Sequence, residues 1–218
     1  MERVYATAFA RHGLVVRDSD LLGALHATWK EVAARHAAGE ERWGGEAGEA
    51  GFWHRFVETV FEKLGGGPLP QTLLGELVVH FQAESHWRVF DDVPHVLGEL
   101  RRRGYKLLVV SNWDSSLPLL LERLKVAPLV DAILASALIG VSKPSPEIFL
   151  EALVRADVSA AEALHVGDSP DDDCGGALSA GLSAILLDRA GTKETPYRTI
   201  RSLSALLDVL PGIPESSE

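Results

Sequence analysis

The chain has 218 residues, 46% of them apolar, and carries 31 acidic against 21 basic side chains for a net charge of -10. That length allows one large domain or a core with an inserted lid, and the apolar share is that of an ordinary globular protein rather than a disordered one. The negative balance argues against nucleic acid or an anionic membrane as partner, because phosphate backbones are held by clustered Lys and Arg.

The one basic run, Arg101-Arg102-Arg103, precedes Gly104 in the last turn of a predicted helix, where cations complement the helix dipole. A single cysteine, Cys174, leaves no internal disulfide and fits a reducing compartment. The sequence has no stretch of about 18 apolar residues and no signal-peptide succession, so a cytoplasmic location without a membrane span is the expectation.

Residues 1–88 read as helices. Val4, Ala8 and Phe9 start one face, and Leu21, Leu22, Leu25, Trp29 and Val32 recur at helical spacing. The stretch from Gly39 to Gly51 is polar and glycine-rich, a loop by composition. Phe52, Phe56, Val60 and Leu64 mark a third helix closed by Gly65-Gly66-Gly67, and a fourth runs from about Gln71 to Glu84.

Residues 89–210 alternate between helices and short apolar runs. Val93, Val96, Leu97 and Leu100 share a helical face opened by Asp91-Asp92. Strand runs follow at Lys106–Val110, Ala132–Ala135, Ala163–Val166 and Ala184–Leu187, with helical material between them. Uniformly apolar strands alternating with helices predict an α/β fold, a parallel sheet covered by helices on both faces. Residues 211–218 read as a flexible tail.

In open α/β sheets ligands bind beyond the carboxyl ends of the strands. Three polar clusters fall there or at the following helix starts: Ser111-Asn112-Trp113-Asp114, Ser142-Lys143-Pro144-Ser145-Pro146, and the run from Gly167 to Ala177 that contains Asp168, Asp171, Asp172 and Asp173. Singly, each has a plain structural reading as a turn, a solvated lysine or an acidic helix start. Together they suit phosphoryl chemistry. A hydroxyl and backbone amides hold non-bridging oxygens, an ammonium offsets developing charge, and hard carboxylate oxygens favour magnesium.

The wording SNWD, GVSKPSPEIF and HVGDSPDDDCGGA resembles motifs II, III and IV of haloacid-dehalogenase-superfamily hydrolases, closely over about Trp87 to Arg189. The helical first part is similar to the lid of subfamily I, and the detailed spelling to the REG-2-like branch. The resemblance implies a Rossmann-like core with strand order 5-4-1-2-3, and a magnesium-dependent phosphatase of small phosphorylated metabolites. It implies that Ser111 and Asn112 bind the transferring phosphoryl group and that Lys143 neutralises charge. It further makes Asp168 a direct magnesium ligand and Asp173 a ligand through water. Two rival readings are a non-catalytic relative that binds a phosphorylated ligand or a protein, and a haloacid dehalogenase; the acidic Gly167-Asp168 spelling counts against the latter.

The family's reaction opens on an Asp-x-Asp at the end of a first, central strand, whose first carboxylate attacks phosphorus. In this sequence Val4-Tyr5-Ala6 already matches the first lid helix, so that central strand is expected to be missing here and to lie within about 20 residues upstream of Met1, given strands of about 5–6 residues. Between the runs at Lys106–Val110 and Ala163–Val166 the expectation is a vacant strand position or a distorted closure. Asp18-Ser19-Asp20 has the same spelling, but it is better explained by Asp18 or Ser19 capping a helix. Asp114 follows the wrong strand for the nucleophile. His165 reads as a packed core residue, Cys174 as buried and inert, and Arg42, Trp43, His54 and Arg55 as candidates for substrate selection.

Overall fold

The structure, a computed structural model, describes residues 2–38, 40, 43, 48–82 and 87–212. The chain divides into two compact units, Met1–Trp87 and Arg88–Glu218. Arg42 and residues 213–218 of the expected tail lie outside the described residues.

In the first unit the apolar stripes fold as helices α1 (Glu2–Arg11), α2 (Asp18–Ala37), α3 (Gly48–Lys63) and α4 (Gln71–Gln82). Their shared core holds Phe9, Leu21, Phe56, Val60 and Leu73. Ring pairs tie it together: Phe9 meets Phe61 edge-on at 5.1 Å and Trp29 lies 4.5 Å from Phe56. Such pairs add roughly 0.5–1.5 kcal/mol beyond their buried area. Helix α3 stops where Gly65 takes a left-handed conformation and the Gly66 amide reaches back to the Phe61 carbonyl.

Two local expectations need correction. Helix α2 has its N-cap at Arg17, not at Asp18 or Ser19, and no side chain caps it; the Arg17 guanidinium instead pairs with Asp20 at 2.8 Å. Asp18 thus sits in the first helical turn, where an acid favours the dipole. Helix α3 begins at Gly48, inside the stretch read as a loop, one turn before its first buried side chain, Phe52.

The second unit opens with α5 (Asp92–Arg102), then β1 (Leu108–Ser111), α6 (Leu117–Arg123), β2 (Ala132–Ala135), α7 (Ser136–Ile139) and α8 (Pro146–Ala156). It continues with β3 (Leu164–Gly167), a π-helical segment Pro170–Gly175, α9 (Gly176–Ser179), β4 (Ser183–Leu187), β5 (Thr199–Ile200) and α10 (Leu206–Val209). Strand β1 starts two residues later than its apolar run, since the Leu107 amide and carbonyl are taken by Asp131.

All strand pairs are parallel, with Ser111 opposite Ala135, Val166 opposite Ile185 and Leu187 opposite Ile200. Alternate residues face two apolar layers. Val96, Leu100, Ile185 and Leu206 form one with Leu164 and Val166; Ile148, Phe149, Ala177 and Leu182 form the other with Val110 and Ala184. Helices therefore cover both faces, as the sequence predicts for a parallel sheet.

The sheet is not continuous. Among the described residues β1 pairs only with β2, and β3–β4–β5 form a separate sheet. Strands β2 and β4 each bury two residues fully, whereas all four residues of β1 and of β3 are only half-buried. The two strands that border the seam thus keep an unpaired edge inside an otherwise layered core.

Candidate active site

Lys143 is the hub. Its ammonium donates to the Val110 carbonyl at 3.0 Å and to Asp173 Oδ1 at 2.5 Å, and so bridges the last turn of β1 to the segment after β3. Lysine is almost never this buried without a partner; here 8% of it is exposed and the carboxylate supplies the compensation. The loop that presents it is clamped by Asn112. That amide donates from Nδ2 to the Lys143 carbonyl at 2.9 Å and accepts the Lys143 N–H at 2.7 Å. Both ends of the Asn112 side chain are engaged in positioning Lys143.

Asp173 is turned inward by the π-helical segment. Ser169 accepts the Asp172 N–H on its hydroxyl, and its carbonyl accepts the N–H groups of Asp173 and Cys174. The widened turn leaves Asp171 at the surface and buries Asp173. Asp173 Oδ1 also accepts from His165 Nε2 at 2.9 Å, and Oδ2 accepts the Ser169 N–H at 2.9 Å. Burial works to raise the Asp173 carboxyl, but the His165 hydrogen bond, the Lys143 ammonium and the Ser169 amide outweigh it and hold it well below the usual range. A Cβ on Gly167 would stand 2.1 Å from Asp173 Cγ, so only glycine admits the carboxylate there.

Ser111 ends β1, one residue beyond the carbonyl that Lys143 grips, and its hydroxyl has no partner among the described residues. Asp168 follows β3 directly and is exposed. Its carbonyl accepts from Lys193, and the loop carrying Lys193 is ordered by buried Asp188, which accepts the Gly191 and Lys193 amides. Asp188 and Lys193 gave no signal in the sequence because their partners are backbone groups. His165, read as core, does pack edge-on against Phe149 at 5.0 Å, but it also holds Asp173. Burial pushes the Cys174 thiol up, helped by Asp173, which leaves a protonated, unreactive group.

Asn112 and Asp173 therefore both hold Lys143, the one by its main chain and the other by its ammonium; Ser111 follows the carbonyl that the ammonium grips, and Asp168 precedes Ser169, whose amide bonds Asp173. A hydroxyl and a fixed cation at strand ends suit a developing phosphoryl charge. The donor set for a divalent cation is incomplete. Asp173 spends both oxygens on protein donors, and among the described residues no group of three His, Cys, Asp or Glu side chains is placed to hold a metal. Asp18 offers no carboxylate at a strand end, being on α2.

Residues 2–181 match the family model for haloacid dehalogenase-like hydrolases. The chain belongs to that family. A haloacid dehalogenase-like hydrolase domain-containing protein 3 from Mus musculus is 33% identical over 98% of this chain and 88% of its own length. A phosphoserine phosphatase from Thermus thermophilus is 31% identical over 79% of this chain and 67% of its own. Among solved structures, a 2-haloacid dehalogenase from Pseudomonas syringae superposes with a TM-score of 0.61 at 27% identity, covering 95% of this chain and 88% of that one. The haloacid dehalogenase-like fold explains why the three polar clusters, far apart in sequence, gather at one edge.

Proposed function

We propose that this chain supports magnesium-dependent hydrolysis of small phosphorylated metabolites through an aspartyl-phosphate. The attacking carboxylate would stand on a strand seated in the seam between β1 and β3. The observation that carries this reading is the Lys143 ammonium, buried and fixed between the Val110 carbonyl and Asp173; Ser111 at the end of β1 and the exposed Asp168 after β3 have side chains without protein partners among the described residues. Relatives named as phosphatases support the reaction class, and the cytoplasm is the compartment that a lone buried thiol suits.

Ser111 would donate to a phosphoryl oxygen while Lys143 offsets charge on the same group. Asn112 holds Lys143 rather than the substrate, and His165 keeps Asp173 ionised beside it. Magnesium would neutralise phosphoryl charge, held directly by Asp168 and through water by Asp173. The residues in hand do not complete that site by themselves; the seam strand would have to add its own carboxylate.

The test is to extend the chain upstream with an apolar strand ending in Asp-x-Asp and to assay p-nitrophenyl phosphate with and without magnesium. Activity should arise only in the extended protein, fall about 10²–10³-fold on Lys143→Ala, and need more magnesium after Asp168→Asn. Turnover by the 218-residue chain alone, lost on Asp18→Asn, would contradict the proposal. Binding of the phosphoester by the extended protein without turnover would favour a non-catalytic binder, and chloride release from 2-chloropropionate a dehalogenase.

A further inference from the structure

The helical unit contains a cavity of about 300 Å³, lined by Val32, Arg35, His36, Glu40, Phe52, Arg55 and Phe56, of which only Arg55 was singled out from the sequence as a candidate for substrate selection. Its floor is apolar: Val32, Phe52 and Phe56 are buried. Two exposed arginines also line it, Arg35 from α2 and Arg55 from α3. Neither has an ion pair or side-chain hydrogen bond among the described residues. In the same unit Arg11, Arg17 and Lys63 reach carboxylates on Glu76, Asp20 and Glu31, while Arg35 and Arg55, like Arg3 and Lys30, reach none among the described residues.

Two unpaired guanidiniums brought to one mouth repel each other. In a chain of net charge -10, such a pair is a local reversal of sign. Glu40 offsets one of the two charges, and the His36 ring is held by the Glu40 carbonyl at 3.2 Å. A fork of N–H donors matches a carboxylate or phosphate in two-point contact, while rings at the bottom match a flat apolar body. The volume is at the small end of ligand sites, about 300–1,000 Å³. We infer that this cavity binds a small organic anion, its charged end between Arg35 and Arg55 and its apolar body against Phe52 and Phe56. This site is independent of the hydrolytic reading.

The probe is benzoate, titrated calorimetrically into the 218-residue chain, with benzyl alcohol and inorganic phosphate as comparisons. Benzoate should bind saturably with one-to-one stoichiometry. Benzyl alcohol lacks the charge and phosphate the ring, so each should bind at least tenfold more weakly. Arg35→Gln and Arg55→Gln should each weaken benzoate at least fivefold, while Arg17→Gln leaves it unchanged. Both arginines are exposed, so circular dichroism and melting of the variants should match the parent. Unsaturable benzoate uptake, equal binding of benzyl alcohol, equal binding of phosphate, or variants that bind as tightly as the parent would each overturn the inference.

Discussion

The two units bury different things. The helical unit has one core of aliphatic and aromatic side chains, and its only fully buried polar residue among those described is Thr28, whose hydroxyl bonds the Ala24 carbonyl one turn back. The α/β unit has two smaller apolar layers with Ser136, Ser142, Lys143, Asp173 and Asp188 buried between or beside them. Removing a charge from water costs several kcal/mol, so polar burial on this scale needs specific partners. The difference teaches where chemistry resides: among the described residues the buried ions, with the partners that position them, all belong to the α/β unit.

The sharpest way to break that comparison is to remove one member of the buried pair. Lys143→Ala should destabilise the α/β unit by roughly 3–5 kcal/mol in chemical denaturation, since it leaves Asp173 buried with only His165 and the Ser169 amide. The double replacement Lys143→Met with Asp173→Leu should recover much of that loss. A ring deletion in the other unit, Phe9→Ala, should cost a comparable 3–5 kcal/mol, but by leaving a cavity, with no dependence on salt. Equal salt sensitivity in the two variants would erase the distinction.

A smaller effect is expected at Asp92, the anchor between α5 and the end of the chain. It accepts from both Arg189 nitrogens at 3.0 Å, from Ser202 Oγ at 2.7 Å and from the Leu203 amide at 2.8 Å. The Arg189 hydrogen bonds, against burial and aided by Ser202 and Leu203, lower its pKa from 3.8 to about 2. Because the folded value is depressed, the stabilisation is complete above about pH 4 and is lost as pH falls toward 2. Asp92→Asn should therefore cost on the order of 2–3 kcal/mol at neutral pH and flatten the acid limb over that window. The smallest effect belongs to the exposed Arg17–Asp20 pair, where solvent screening should leave the melting temperature of Arg17→Ala that of the parent.

The sequence showed unequal amounts of these two units. Helical periodicity placed α1 to α4 because each has a wide buried face, and β2 was bounded correctly by its apolar run. Strand β5 escaped notice, since Thr199 and Ile200 make only two residues of pattern amid Arg198 and Arg201. The polar clusters holding Ser111, Lys143 and Asp173 were visible as motifs. What each residue touches was not. Asn112 reads as a ligand in sequence but spends its amide on Lys143, and nothing in a spacing of eight residues tells that His165 meets Asp173. The inward turn of Asp173 depends on a π-helical register that an acidic triplet does not announce.

The seam between β1 and β3 decides the account. Strand β4 is paired on both sides, whereas β1 and β3 are each paired on one. Hydrogen exchange read residue by residue should find the seam-facing amides of β1 and β3 exchanging at least about tenfold faster than those of β4, and slowing to match β4 once a strand ending in Asp-x-Asp is supplied upstream. Seam amides as protected as those of β4 in the 218-residue chain alone would contradict an open strand position, and with it the proposed source of the nucleophile.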